Sequence, residues 1–515
     1  MRRTLGMLVL PMLLGACGSA ASDPSTQPLP GNPTVDGGSR PDAAPREPLP
    51  GPCQGVDIEA GKSVGGYVSD VVSFYDAGCQ LRTAALVRND ARDPGGSFGG
   101  ILRSFSYAHG GDRRTVIGTG ANGLWNGFGY VIAHYGPGGD DAESRDTAGT
   151  YRTVLAGLHH AIHAFTWRIY PSGKPVDVTV HWFFATGRSH PVYSITYDAS
   201  AAGVNAVAAD TRAPYGDMAF EGSPDGDVEG VGWGDKFKFR TTSAGAVTPQ
   251  STWDYTQPNR VPYALAWSAS KDAEMGLVQT ESWESHPAGG DYGGGLLGVA
   301  CWGKTSATRG ARCSSAGWTM PDAGLWPFQL NNWELPFTTS SHRLAWGATY
   351  GAVGQTDYDT FGKTSHGYPF TSYATTVVMG GHAESAVAAQ LKDAESTSRA
   401  TLTAARGTVA LQGPGGVGRT DAVPFALPGY SPVYGTWDVD ADGNAADVTL
   451  TSEGLDHPIL RLRKYTATSA PARVEANGQL LVPHVDYFAT VDAQSSVLWI
   501  TLARTVSGAT RIVVQ

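Results

Sequence analysis

Five of the thirteen histidines fall between 159 and 190: His159, His160, His163, His181 and His190. Imidazole ordinarily titrates near neutral pH, so a group this dense invites acid–base or metal chemistry. His159 and His163 are four apart, which places them on one face of either a helix or a strand. No His-Glu-x-x-His run occurs, so the strongest zinc-hydrolase arrangement is excluded. Just downstream, Arg168, Tyr170, Asp177, Thr179 and His181 occupy the non-apolar face of a period-two pattern. A guanidinium holds a carboxylate with two parallel hydrogen bonds, and His or Tyr can take a proton and return one to a leaving oxygen. Arg168, Tyr170 and His181 are therefore the set that would serve β-elimination on an acidic sugar.

A second group is carboxylate-rich. Asp217, Glu221, Asp225, Asp227, Glu229 and Asp235 sit among glycines around Trp233. Two carboxylates flanking a bond suit glycoside hydrolysis, one as acid and one as base or nucleophile. Asp217, Glu221 and Asp227 are the candidates, and the same oxygens would equally suit Ca²⁺. Aromatic platforms for sugar rings are expected at Trp233 and Trp283, and at Trp333 beside Asn332. Further on, Asp438, Asp440, Asp442 and Asn444 around Gly443 match the first half of a calcium loop. Thr449 stands where the closing Glu would be, so any calcium there is structural and no complete EF-hand is present.

The elements that must position these groups read as strands. Val176, Val178, Val180, Trp182 and Phe184 alternate with polar residues, Phe165, Trp167 and Ile169 do so before them, and Tyr193, Ile195 and Tyr197 after. Three such runs joined by short turns predict an antiparallel meander. Residues 151–165 fit helix or strand equally. Ala383, Val387, Leu391, Ala394 and Leu402 follow helical spacing, which predicts a helical connector over 382–407 ending at Gly407. Beyond it, short strand patterns and Asn477-Gly478 between Val474 and Leu480 predict a hairpin within a small β-sandwich over 408–515. The fold class is mainly β: a large antiparallel sandwich or supersandwich over 53–381, a helix, then the small sandwich.

Composition agrees. Charged residues are 16%, Gly is 67 of 515, and there are 14 Trp. This excludes a disordered chain and a Lys- and Glu-rich helical bundle. A net charge of −10 with no basic block makes nucleic acid an unsuitable partner, and no phosphate-cradling loop points to a nucleotide.

The chain opens with Arg2 and Arg3, then a short apolar stretch over 5–14, too short to span a bilayer. Residues 1–16 read as a signal peptide. Leu14-Gly15-Ala16-Cys17 resembles the lipobox of bacterial lipoproteins, which implies cleavage before Cys17, acylation of its thiol and anchoring to the outer membrane or outer face of the envelope. Residues 18–52 hold nine Pro, five Gly and no aromatic, a tether that cannot bury enough apolar surface to fold. With Cys17 set aside, Cys53, Cys79, Cys301 and Cys313 remain, and export favours disulfides. Three pairings are possible, of which the local one, Cys53–Cys79 with Cys301–Cys313, is expected.

In layout the chain resembles polysaccharide-processing proteins with a supersandwich, or galactose-mutarotase-like, domain. That resemblance implies a polysaccharide or oligosaccharide partner and breakage of glycosidic bonds by elimination or hydrolysis, with Ca²⁺ as the one cofactor considered and the membrane reached only through the lipid. The alternatives are a non-catalytic glycan-binding lipoprotein and a structural envelope lipoprotein.

Overall fold

The computed structural model describes residues 48–88, 100–117, 127–134, 141–143, 148–170, 175–198, 200–202, 210–216, 219–220, 230–234, 241–243, 263–279, 370–410, 428–431 and 433–515. The expected mainly-β architecture is present, with a single α-helix among the described residues. Two nine-stranded sheets form the N-terminal part. One carries Tyr67–Tyr75, Leu81–Val87 and Leu102–His109 along its path. The other orders Ala273–Gln279, Phe370–Gly380, Val192–Asp198, Val176–Ala185, His160–Ile169 and Thr150–Ala156 side by side.

The predicted meander is the heart of this second sheet. Val178 pairs with Trp167 on one side and Tyr197 on the other, all antiparallel. Its apolar face supplies Phe165, Trp167, Val180 and Trp182 to a core shared with Phe74, Leu86 and Phe105 of the first sheet. Alternation places one set of side chains in this core and the other set on the opposite face. The ambiguous stretch 151–165 resolves as strand, in the hairpin of Thr150–Ala156 with His160–Ile169. Cys53 and Cys79 form the expected disulfide beside the first sheet.

The helix is shorter than its apolar spacing implied. It runs Ala386–Arg399, and Thr401–Arg406 is a strand. Leu402 follows helical spacing in sequence, yet it serves the C-terminal core by pairing with Leu450. Strand Thr401–Arg406 thus joins the C-terminal sheets, edge to edge with Ala446–Asp456. The small sandwich consists of a five-stranded and a six-stranded sheet closing on a core that includes Trp437, Leu450, Leu462 and Ile500. The expected hairpin is formed: Ala476 pairs with Gln479, and Asn477 and Gly478 both take positive φ, as a tight primed turn needs.

A third apolar cluster joins this sandwich to the second sheet. Ile162, Phe183 and Val192 meet Val433, Tyr434, Ile459 and Trp499. The non-core face of the meander is thus partly covered by the C-terminal sandwich. No helix among the described residues is long and apolar enough to cross a membrane.

Candidate functional site

The meander face does not assemble the expected elimination set. Arg168 and Asp177 lie opposite each other and their side chains form a two-pronged pair, with Arg168 Nε at 2.7 Å and Nη2 at 2.8 Å from the carboxylate. The guanidinium fork is thereby occupied within the protein. Tyr170 is well exposed just beyond the strand. His181 shares their face but lies four residues along the strand from Asp177, roughly 13 Å away at 3.3 Å per residue. It is buried against the edge of Tyr434. Burial, with Arg152 nearby, lowers the imidazole to about 4. His181 is therefore a neutral joint residue, closed to the substrate that Arg168 and Tyr170 would meet.

The remaining histidines of the dense group also diverge. His159 and His160 reach the C-terminal sandwich, His163 enters the main core, and His190 accepts a 3.4 Å hydrogen bond from Met379 N–H. Among the described residues no group of three His, Cys, Asp or Glu could hold a metal.

The four calcium-loop residues are each engaged by protein groups. Asp438 and Asp440 lie on the strand Thr436–Asp440 and face Arg461 and Arg463 across a parallel pair. Asp438 is fully buried and bonded to Arg461. Asp440 binds Arg463 at 2.6 Å and Lys464 at 2.9 Å, and Asp442 binds Arg406 at 3.2 Å. Asn444 accepts from the Thr466 backbone at 2.6 Å. Each carboxylate is neutralised by a protein cation, which a calcium site would have to displace. The remaining sequence candidates, Asp217, Glu221, Asp227, Trp283, Asn332, Trp333, Cys17, Cys301 and Cys313, lie outside the described residues, and only the backbone of Trp233, on Gly230–Gly234, is within them.

Sequence reasoning missed a constellation formed where three distant segments converge. Strand Leu102–His109 ends in His109, the turn into Ala273–Gln279 supplies Asp272, and the segment between Phe370–Gly380 and the helix supplies His382 and Glu384. His109 Nε2 is 2.6 Å from Asp272 Oδ2, and its Nδ1 is 3.3 Å from Glu384 Oε1. Asp272 Oδ1 accepts the backbone N–H of Ala383 at 2.7 Å. The hydrogen bond from His109, together with the one from Ala383, lowers the Asp272 carboxyl below its usual range.

Two residues on, the buried Glu274 makes a parallel pair of bonds. His382 Nδ1 is 2.8 Å from one oxygen, and Val387 N–H donates to the other at 2.7 Å. Ser385 at the helix start makes no side-chain cap, so Glu274 satisfies a first-turn donor from another strand. Burial raises the Glu274 carboxyl against the pull of these two donors. The His382 ring stacks on Trp267 at 4.5 Å. Two carboxylates on one strand end thus fasten the segment that carries Glu384.

This corner adjoins a cleft of about 290 Å³ lined by Arg82, Arg188, Ser189, His190, Glu384, Gln390, Asp393 and Asp456. Its arginines are internally matched. Arg82 Nε binds Asp76 at 2.9 Å, and Arg188 reaches Asp393 at 3.4 Å and the carbonyl of Asp456 at 2.6 Å. Asp393 also accepts the backbone N–H of Asp456 at 2.8 Å. Burial, reinforced by Arg82 and Arg188, holds His190 well below the usual imidazole range. Glu384 is mostly exposed at the lip, and His109 behind it is nearly closed off.

A second unexpected chain, Asp70–Tyr151–His163, is structural in character. Tyr151 bonds both Asp70 and His163, the latter at 2.7 Å, while Arg88 lies over its ring. Burial and Asp70 raise the phenol well above its usual range, and burial lowers His163 to about 4. His163 Nε2 faces the apolar core without a hydrogen-bond partner. A proton on Nδ1, donated to the Tyr151 oxygen while the phenol donates to Asp70, leaves only a lone pair there. That assignment avoids burying an unpaired N–H donor.

No protein-family model matches the chain, and no curated protein does. Among solved structures, an α-mannosidase from Enterococcus faecalis is 8% identical with a TM-score of 0.32, over 86% of this chain and 42% of that one. A galactose 1-epimerase from Lactobacillus acidophilus is 8% identical with a TM-score of 0.27, over 63% of this chain and 98% of that one. The chain thus spans less than half the length of that mannosidase. Overlaps this loose do not bear on the activity of the present chain.

Proposed function

We propose that the protein is an exported, envelope-anchored lipoprotein that binds a neutral glycan in the cleft beside Glu384 and hydrolyses its glycosidic bonds. The observation that carries this reading is the lining of the cleft. Amide, hydroxyl, guanidinium and carboxylate groups all line it, and polyhydroxylated ligands need both donors and acceptors. Arg82 is already matched by Asp76 and Arg188 is engaged by the Asp456 carbonyl, while Glu384 and Asp456 add negative charge, so an acidic sugar would be disfavoured. This favours hydrolysis over elimination, which needs a free cation against a uronate.

The roles follow from the geometry. Asp272 holds His109 through Nε2–H, which leaves the Nδ1 lone pair to orient a protonated Glu384 carboxyl by accepting from it. Glu384 gives its proton to the departing glycosidic oxygen. A water adds to the anomeric carbon and loses its proton to Asp393, whose Oδ2 is held only by long 3.4 Å contacts. Export rests on the residues through Cys17, and the Cys53–Cys79 bond suits an oxidising compartment.

The test is incubation of the mature protein with neutral and acidic polysaccharides. New reducing ends without an ultraviolet-absorbing product, lost in Glu384→Gln, support the reading. An unsaturated product would replace it with elimination, and binding without either product would leave a glycan-binding lipoprotein.

A further inference from the structure

Four of the thirteen histidines meet where the second sheet touches the C-terminal sandwich: His159, His160 and His181 from the sheet side and His484 from the sandwich. We propose that this joint is an acid-sensitive clasp, in which neutral imidazoles hold the sandwich against the sheet and their protonation releases it.

His159, His160 and His181 are closed off from water, and burial without a countercharge disfavours the charged ring. His159 Nε2 lies 2.9 Å from His484 Nδ1, so one N–H sits between the two nitrogens, and a proton on both would set two donors against each other. His160 spans the joint with Nδ1 at 3.0 Å from Thr490 and Nε2 at 2.9 Å from Thr501. It is fully buried between Phe183 and Trp499. His181 meets the edge of Tyr434. For His160 and His181 the neighbouring charges add to the effect of burial. His160 feels His159, and His181 feels Arg152, so both neighbours oppose an added proton. Across the joint, Arg461 lies over the Tyr434 and Trp499 rings and is bound to Asp438, whose carboxylate is thereby taken. Burial, the larger cause, lowers His160 well below the usual range and His181 to about 4.

The direction follows. A ring that accepts protons at 6.5 when exposed and at about 4 when closed favours the open joint as pH falls between those values. For His181 alone the open-to-closed ratio rises about 30-fold at pH 5. Arg188, which bonds the Asp456 carbonyl, and the apolar cluster around Phe183 hold the joint independently of pH in this range. Arg188 and Asp456 also line the cleft, so opening would dismantle it; this consequence alone rests on the proposed glycan site.

Hydrogen exchange of the full chain at pH 7 and pH 5, corrected for intrinsic rates, tests the clasp without any activity. Faster exchange at 157–163, 181–194 and 484–501 at pH 5, with the sandwich core around Leu450 still protected, supports it. In His160→Gln with His181→Phe this acid response is expected to shrink at least tenfold. The milder His484→Gln variant, which removes the shared-proton pair, is expected to reduce it in part. Equal protection at both pH values, or an undiminished response in the variants that fold, would overturn the proposal.

Discussion

His109 Nε2 lies 2.6 Å from Asp272 Oδ2, although 163 positions separate the two in the chain. The bond fixes which imidazole nitrogen faces Glu384, because a ring that donates from Nε2 presents Nδ1 on its other side. Asp272 takes a positive φ of 45°, a conformation that non-glycine residues adopt at a cost. That strain sits at the point where the carboxylate serves both His109 and the backbone of Ala383.

On the proposed glycan hydrolysis, removing the imidazole or the lip carboxylate is expected to lower turnover sharply without unfolding the protein. His109→Ala and Glu384→Gln should each lower kcat by about 10²- to 10⁴-fold, the usual range for a lost general acid or base. Asp272→Asn should lower kcat less than His109→Ala and shift the pH profile, since His109 loses its orienting charge. Unchanged kcat in all three would remove this corner from the proposed site.

Gly381 packs against the His109 ring so closely that a Cβ there would overlap it. Gly381→Ala must therefore displace a ring that is tied on both nitrogens. A loss of about 1–3 kcal/mol, as for overpacking, is expected in denaturant melts, together with reduced turnover. Wild-type stability and turnover in this variant would show that the ring is free to yield.

Asp438 and Arg461 form a buried ion pair, with side-chain exposures of 0% and 12%. Asp438→Ala strands the guanidinium and should cost about 3–5 kcal/mol of stability. Calcium or a chelator should leave the Tm of the wild type unchanged, because the carboxylates are already paired. A calcium-dependent rise in Tm that Asp442→Asn removes would restore the metal-loop reading.

Stability should fall as pH drops from 6.5 towards 4. His163 is buried neutral in the main core, with its proton affinity lowered to about 4. The unfolded chain binds a proton first, so the contribution is complete above 6.5 and is lost as pH falls through the window. For this one group the loss is about 3 kcal/mol at 1.36 kcal/mol per unit. Equilibrium melts at pH 7 and pH 4 should show it, and His163→Gln should flatten the slope if the group titrates as described.

Breaking Cys53–Cys79 by paired serine substitution frees a link of 26 positions. The loop-entropy account puts the cost at about 3–4 kcal/mol. Melts of the variant and of the reduced wild type should agree; a cost near zero would mean that the first sheet holds its edge without the bond.

Much of the architecture was legible in the sequence, because period-two alternation reports directly which side of a strand is buried. The 165–198 meander follows from that local rule, and the Asn477-Gly478 hairpin from the turn chemistry of that pair. The helix length did not, since Leu402 keeps helical spacing while pairing with Leu450 from a distant strand. The sites diverged further. Alternation correctly put Arg168, Asp177 and His181 on one face, but local pattern carries no information about what lands on that face. Only the tertiary structure covers His181 with Tyr434, pairs Arg168 with Asp177, and commits Asp438 and Asp440 to arginines on a parallel neighbour. It alone brings His109, Asp272 and Glu384 together, since they come from a strand end, a turn and an inter-element segment far apart in the chain and no spacing links them. The sequence by itself determined what each residue can do chemically and which strand it rides on; long-range packing decided which of those groups can meet a ligand.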